Sequence, residues 1–342
     1  MPARISARAV NGDESDDATA ITHWDLSPLP ERLTLMPTVR LAYRDDDRTP
    51  VIYCIREMAL RHYGIDVQVL QIKGYDEFES ALFDGSADVL IDHVEFLYSE
   101  AMKGRKITFF CAPKIVRGLE LVVPKNIERL DEFAGKTMAV RASGRPHAVT
   151  LWLRMMGLEG KIGTLIFKDD EVGRWGQWKK VTSGECIACF MDPLYLANAL
   201  DAGLKVLSVP DLPVVGHYAQ ACTSEFAREK PDLLRDYVKA VIHALCLIKH
   251  DKREALKIVF GEPMRRMKIK EPAEMERHFD AIVARLQVKA YPSPGAIANT
   301  YEIATEEYGA GGINPMTLWD LHWLKKLDDE GFIDGLIKKM PG

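Results

Sequence analysis

The sequence predicts an α/β protein of two doubly wound lobes followed by a helical C-terminal extension. Three observations carry that expectation. Strand-like and helix-like segments alternate with short connections from Thr38 to about Pro113, and the same alternation restarts at Lys136. Gly85 and Gly104 stand 19 residues apart, as do Gly184 and Gly203, and each pair brackets a strand and then a helix. Arg44-x-x-x-Arg48 precedes the first helix, and Arg141-x-x-x-Arg145 precedes its counterpart, so the halves read as one repeated unit.

In order, TVRLAY reads as a buried strand and RDDDRTP as the loop after it. The helix VIYCIREMALRHYG follows, with Thr49 as N-cap, Pro50 at the first helical position and Gly64 beyond the end. Its apolar positions Val51, Ile52, Ile55, Met58 and Ala59 recur at helical spacing. DVQVLQI, ADVLIDHV and KITFFCAP read as strands, separated by the helices DEFESALFDG and EFLYSEAMKG. In the second half KTMAVR and TLIFKDD read as strands around the helix AVTLWLRMMG, and GECIACF as a strand before the helix PLYLANALDAG. A long amphipathic helix is expected from Pro231 to about His250, burying Leu234, Tyr237, Val238, Val241 and Leu245. Further helices close the chain, with Trp319 and Trp323, four apart, expected in the core.

With 342 residues, 47% hydrophobic and 28% charged, the chain can build more than one globular core. A net charge of −5 supplies no basic stripe and so no support for a nucleic-acid partner. Residues 1–34 are polar, with an acidic cluster over Asp13–Asp17, and are expected to form a flexible leader. That stretch has no apolar signal core, no run of 18 apolar residues occurs, and six cysteines are scattered without framework spacing. A cytoplasmic location is expected from the sequence as written; a periplasmic one requires a start further upstream.

The segments TPVIYCIREMALRHYGIDVQV, ALFDGSADVLI, LDEFAGKTMAVR, SGECIACFMDPLYLANALDAG and SEFAREKPDLLRDYVKAVIHALCLIKHD together carry a resemblance. In order and spacing they resemble the type II periplasmic-binding-protein-like family, in its nitrate/sulfonate/taurine and thiamine-pyrimidine-precursor branch. The likeness covers residues 36–260 and continues loosely to the end. It implies a hinge crossed twice, one lobe at 36–122 plus 223–342, the other at 123–222, and a ligand between them. Open α/β sheets also bind ligands beyond the carboxyl ends of their strands. The synthase relatives carry a cysteine-rich stretch before the long helix, where this chain has GHYAQAC. They place a lysine and a histidine where it has Asp92 and Phe96, so their suicide chemistry is not expected here.

Arg44–Thr49 and Ser143–His147 each lead into a helix N-terminus, where free amides, the helix dipole and a guanidinium fork suit a carboxylate, sulfonate or phosphate. Ser143, Gly144, Arg145 and His147 are therefore candidate ligand contacts, as are Arg44 and Arg48 unless these only pair with Asp45–Asp47. Asp92 and His93 end a first-lobe strand at the cleft rim; Asp192, the repeat equivalent of His93, stands before a proline and equally suits an N-cap. His93, Cys111 and His147 are the catalytic candidates, with His217 and Cys222 near hinge crossings; a buried inert cysteine is the competing reading of both thiols. Trp175 and Trp178 suit either stacking on a ring or packing under a loop. Cys186 and Cys189 read as wall residues on opposite strand faces rather than a redox pair. The sequence has no HExxH, no second CxxC, no calcium loop, no GxGxxG and no phosphate-binding loop, so no metal and no cofactor is expected.

Two functions follow. The first is a binding protein closing on a small carboxylate, sulfonate or heteroaromatic acid, with an ABC-transporter permease as partner if exported. The second is a cytosolic, cofactor-independent decarboxylase or desulfinase-type lyase on the same scaffold.

Overall fold

The computed structural model describes residues 36–143 and 145–340, so the leader 1–34 and Gly144 lie outside the described residues. Among the described residues ten strands form two five-stranded sheets of the same plan. The first contains β1 (Thr38–Tyr43), β2 (Asp66–Gln71), β3 (Val89–Ile91) and β4 (Ile107–Cys111), with β10 (Gln220–Thr223) returning late in the chain. The second contains β5 (Glu120–Pro124), β6 (Thr137–Arg141), β7 (Gly163–Phe167), β8 (Ala188–Met191) and β9 (Leu204–Leu207). Their orders are β2-β1-β3-β10-β4 and β7-β6-β8-β5-β9. In each sheet the fourth strand runs antiparallel to its neighbours, and it is the strand that crosses over from the other half: β10 in the first, β5 in the second. The chain passes between the sheets twice, over residues 112–119 and 208–219.

The internal repeat is visible in register and in backbone angle. Ala42 of β1 pairs Leu90 of β3, and Ala139 of β6 pairs Cys189 of β8. Gly85 and Gly184 turn into these strands at φ 80° and 79°, a left-handed angle that a side chain resists.

Several local expectations are corrected. Arg48, not Thr49, occupies the N-cap position of the helix Thr49–Tyr63, because a 3-10 turn over Asp46–Arg48 starts the coil early. The Thr49 hydroxyl lies 3.2 Å from the Tyr43 hydroxyl instead of capping the helix. Gly64 closes that helix at φ 63°, as its position implies. Trp319 and Trp323 share no helix face, because the helix starts only at His322, whose amide donates to Asp320. Trp319 stacks on Phe109 at 4.9 Å, while Trp323 is half-buried under Arg235. In GECIACF the strand begins only at Ala188, so Cys186 is not in it. Both thiols enter the same apolar cluster with Val122, Ala139 and Met191, and burial pushes both up, away from thiolate chemistry.

The helix Pro231–His250 buries Leu234, Tyr237, Val238, Val241 and Leu245 and packs along the helix Thr49–Tyr63, with Tyr237 turned to Phe110 and Gln220 of the first sheet. Each such apolar side chain contributes about 1.5–3 kcal/mol. A second long helix, Pro294–Tyr308, wedges between the halves: Ala296, Ile297 and Ala304 join the first core, Ile303 the second.

Candidate functional site

A cleft of about 760 Å³ opens between the sheets, lined by the loops at their strand ends and by both crossings. On the first wall β1 runs into Arg44–Arg48. Asp92, fully buried just past β3, holds this loop: it accepts from the amides of Arg44 (3.0 Å), Asp45 (3.1 Å) and His93 (2.8 Å). It also lies 3.1 Å from the buried Arg48 guanidinium, which Asp47 and Asp45 flank as well. Arg44 lies 3.7 Å over the Tyr75 ring and 3.5 Å from Asp45. Burial pushes the Asp45 carboxyl up, but His93, Arg48 and Arg44 outweigh it and hold the group below the carboxylate range.

On the second wall Arg141, at the end of β6, grips Asp169 through two nitrogens and covers the Trp175 ring at 4.7 Å. Ser143 Oγ stands 3.5 Å from the same carboxylate. Arg145 adopts φ 58° at the head of the helix Pro146–Met155 and reaches across the cleft. One guanidinium nitrogen is 2.6 Å from Glu95 Oε1 and the other donates to His93 Nδ1 at 2.6 Å. That bond makes Nδ1 the acceptor, so Nε2 carries the proton, facing Asp92 at 3.6 Å and Asp45 at 3.7 Å. The His217 ring, from the second crossing, lies 4.1 Å from the His93 ring. Burial, with His93 and Arg145 next, depresses His217 well below the usual histidine value and keeps it neutral.

Lys114, on the first crossing, supplies the floor. Gly216 makes room for it, since a Cβ there would come within 2.7 Å of its stem. Among the described residues its ammonium has no hydrogen-bond or ion-pair partner, and burial pulls it down to about 8 against the opposing pull of Asp192. Burial likewise lowers Arg117 to about 10. Asp192 caps Leu194 at 2.9 Å, as its position before Pro193 suggests, and also lines the cleft; burial raises its carboxyl.

The cleft thus brings together Arg44, Arg48, His93, Ser143, Arg145 and Asp192, with Asp92 directly behind them. Two catalytic candidates sit elsewhere. Cys111 is fully buried in β4 with its thiol pushed up by burial, and Cys222 in β10 is raised to about 12 for the same reason. His147 turns outward to the helix Pro294–Tyr308, its Nε2 3.2 Å from Glu302 and its amide 3.2 Å from Glu307. Trp175 lines the cleft, whereas Trp178 packs against the second-sheet core. Sequence reasoning missed Lys114, Arg117 and Tyr195 as cleft residues. The only hint was APKIVRG, a basic irregular segment at the first crossing. Asp45, Asp92 and His93 offer donors within 4.8 Å of one another, but Arg48, three backbone amides and Arg145 already occupy Asp92 and His93.

No family model and no curated protein matches the chain. Solved structures do. The putative periplasmic sulfonate-binding protein SsuA from Methylobacillus flagellatus is 17% identical with a TM-score of 0.62, over 88% of this chain and 96% of that one. The aliphatic sulphonate-binding protein SsuA from Escherichia coli is 15% identical with a TM-score of 0.58, over 80% and 87%. The desulfurization enzyme DSZB is 12% identical with a TM-score of 0.56, over 86% and 99%. The chain has the type II periplasmic-binding-protein-like fold, two mixed α/β sheets with a helical C-terminal region.

Proposed function

We propose that this protein is a solute-binding protein that closes its two lobes on a small organic anion. The observation that carries the reading is Lys114, an ammonium with no hydrogen-bond or ion-pair partner among the described residues, at the floor of a cleft lined by nine basic and six acidic side chains. Four other basic groups of the walls are committed: Arg48 to Asp92, Arg141 to Asp169, Arg145 to Glu95 and Arg285 to Glu120. Trp175, Tyr195 and Tyr75 give the same space aromatic faces for the ligand's organic part. Carboxylates, sulfonates and heteroaromatic acids fit this set, and delivery to an ABC-transporter permease would follow if the protein is exported. In this reading residues 36–122 with 223–342 form one lobe and 123–222 the other.

The test is calorimetry and thermal shift with those three acid classes. A hit raises the melting temperature by mass action, and Lys114→Met should weaken it about 10–100-fold, the worth of a charge-assisted hydrogen bond. Binding unaltered by that change would remove Lys114 from the site. The neutral His217 beside His93 favours a second reading, a lyase that moves a proton in the cleft. Recovery of a hit chemically changed, rather than intact, decides for it.

A further inference from the structure

The outer strands of the two sheets are finished differently. On the first sheet, β4 is covered by residues 319–320: Phe109 bridges Trp319 and its carbonyl accepts from the Asp320 amide. At the opposite edge β2 carries Asp66, Gln68 and Gln71, polar side chains of the kind that discourage edge pairing. β7, the corresponding edge of the second sheet, reads Gly-Thr-Leu-Ile-Phe without a charge. Four of its five residues are exposed, with Leu165 at 42% and Ile166 at 57%. Among the described residues no strand pairs with this edge, and an apolar edge of this kind is a template for another strand.

The free backbone groups fix how a strand could add. Gly163 donates to Lys136 and Phe167 accepts from Ala142, so residues 163, 165 and 167 turn their backbone groups toward β6. By alternation Thr164 and Ile166 present N–H and C=O outward. We propose that β7 pairs antiparallel with β7 of a second copy of this chain, about a two-fold axis at Leu165, joining the two second-lobe sheets into one.

In this register Thr164 and Ile166 of one copy exchange backbone hydrogen bonds with Ile166 and Thr164 of the other. Leu165 faces Leu165 at the close, non-hydrogen-bonded position. The flanking charges agree: Lys161 comes beside the exposed Asp170 and Glu171 of the second copy, while Asp169, directly opposite, is already held by Arg141. Both ends of the ribbon are then oppositely charged, whereas parallel in-register pairing would set Lys161 beside Lys161. The contact is isologous and closes at two copies.

Light scattering coupled to gel filtration on the full chain, from micromolar to sub-millimolar, tests this. The expected result is a concentration-dependent rise to twice the chain mass. Leu165→Lys puts like charges face to face at the axis and should raise the dissociation constant at least about tenfold. Lys161→Glu, which reverses the end pairs, should have a smaller effect. Leu165 is exposed, so an unchanged thermal transition of the variant confirms that its fold is intact. Hydrogen exchange at the Ile166 amide should slow as concentration rises. A wild-type chain monomeric throughout, or a dimer indifferent to Leu165→Lys, overturns the proposal. Concentration-independent protection of Ile166 also overturns it, because a segment of the same chain would then hold the edge.

Discussion

Arg48 and Arg145 occupy equivalent points of the repeated unit, each at the head of the helix that follows the first strand of its half. Arg48 is folded under its own loop, only 2% exposed, and bound to Asp92. Arg145 leaves its own half and crosses the cleft to Glu95 and His93. The residue at the end of the neighbouring strand accounts for the difference. Asp92 follows β3, but the repeat equivalent at the end of β8 is Met191, fully buried and apolar. Without a carboxylate beneath it, the second arginine finds its counter-charge on the other lobe. A carboxylate at this point in one half and a methionine in the other separate an internal brace from a bridge.

Breaking the brace should have the largest effect. Asp92→Ala leaves the Arg48 guanidinium buried with less counter-charge and strips the amides of Arg44 and Asp45 of their acceptor. A loss of about 3–5 kcal/mol is expected in urea denaturation, partly recovered by adding Arg48→Met. Breaking the bridge should cost less. Arg145→Ala leaves Glu95, which is fully buried, without its guanidinium, and about 2 kcal/mol is expected. Adding Glu95→Gln should restore much of it. Small-angle scattering should show a larger radius of gyration for Arg145→Ala and none for Asp92→Ala below its unfolding transition; equal changes would mean that Arg145 does not hold the lobes.

The smallest effect concerns the floor between the two arginines. Lys114 is depressed to about 8 in the folded chain, below the 10.5 of a free lysine. Between those values the unfolded chain binds more protons, so stability rises with pH across that window, by on the order of 1 kcal/mol after solvent screening. Affinity for an anion should move the other way, falling up to about tenfold per pH unit above about 8 as the ammonium discharges. Lys114→Met should flatten both profiles, in urea titrations and in calorimetry.

Much of the framework was legible in the sequence, because glycine spacing and the helix face Leu234–Leu245 are local signals. The repeat alone placed His93 opposite Asp192 and located the cleft ends of both strands. Side-chain destinations were less accessible. Ser143–His147 read as one anion loop, yet Arg145 and His147 point to different partners because a residue at φ 58° turns the chain between strand and helix. Lys114 escaped notice since a hinge crossing has no periodicity; its importance comes from what surrounds it after both crossings meet at Gly216. Cys186 and Cys189 looked like opposite faces of a strand whose true start, at Ala188, no composition marks.

The helix Pro294–Tyr308 belongs to both halves at once, and this bears on how the molecule would move. Its polar ties to the second half include Glu302 with His147 and Arg154, at 3.2 and 2.8 Å, and Glu307 with the His147 amide at 3.2 Å; Arg154 and Glu307 are exposed and Glu302 is half-buried. Its apolar anchors are buried and lie mostly in the first half, with Ala296, Ile297 and Ala304 there against Ile303 in the second. Salt weakens the former and spares the latter. An opening motion would therefore carry the helix with the first half, and ionic strength would act as a throttle on the resting angle of the cleft even with no ligand in solution.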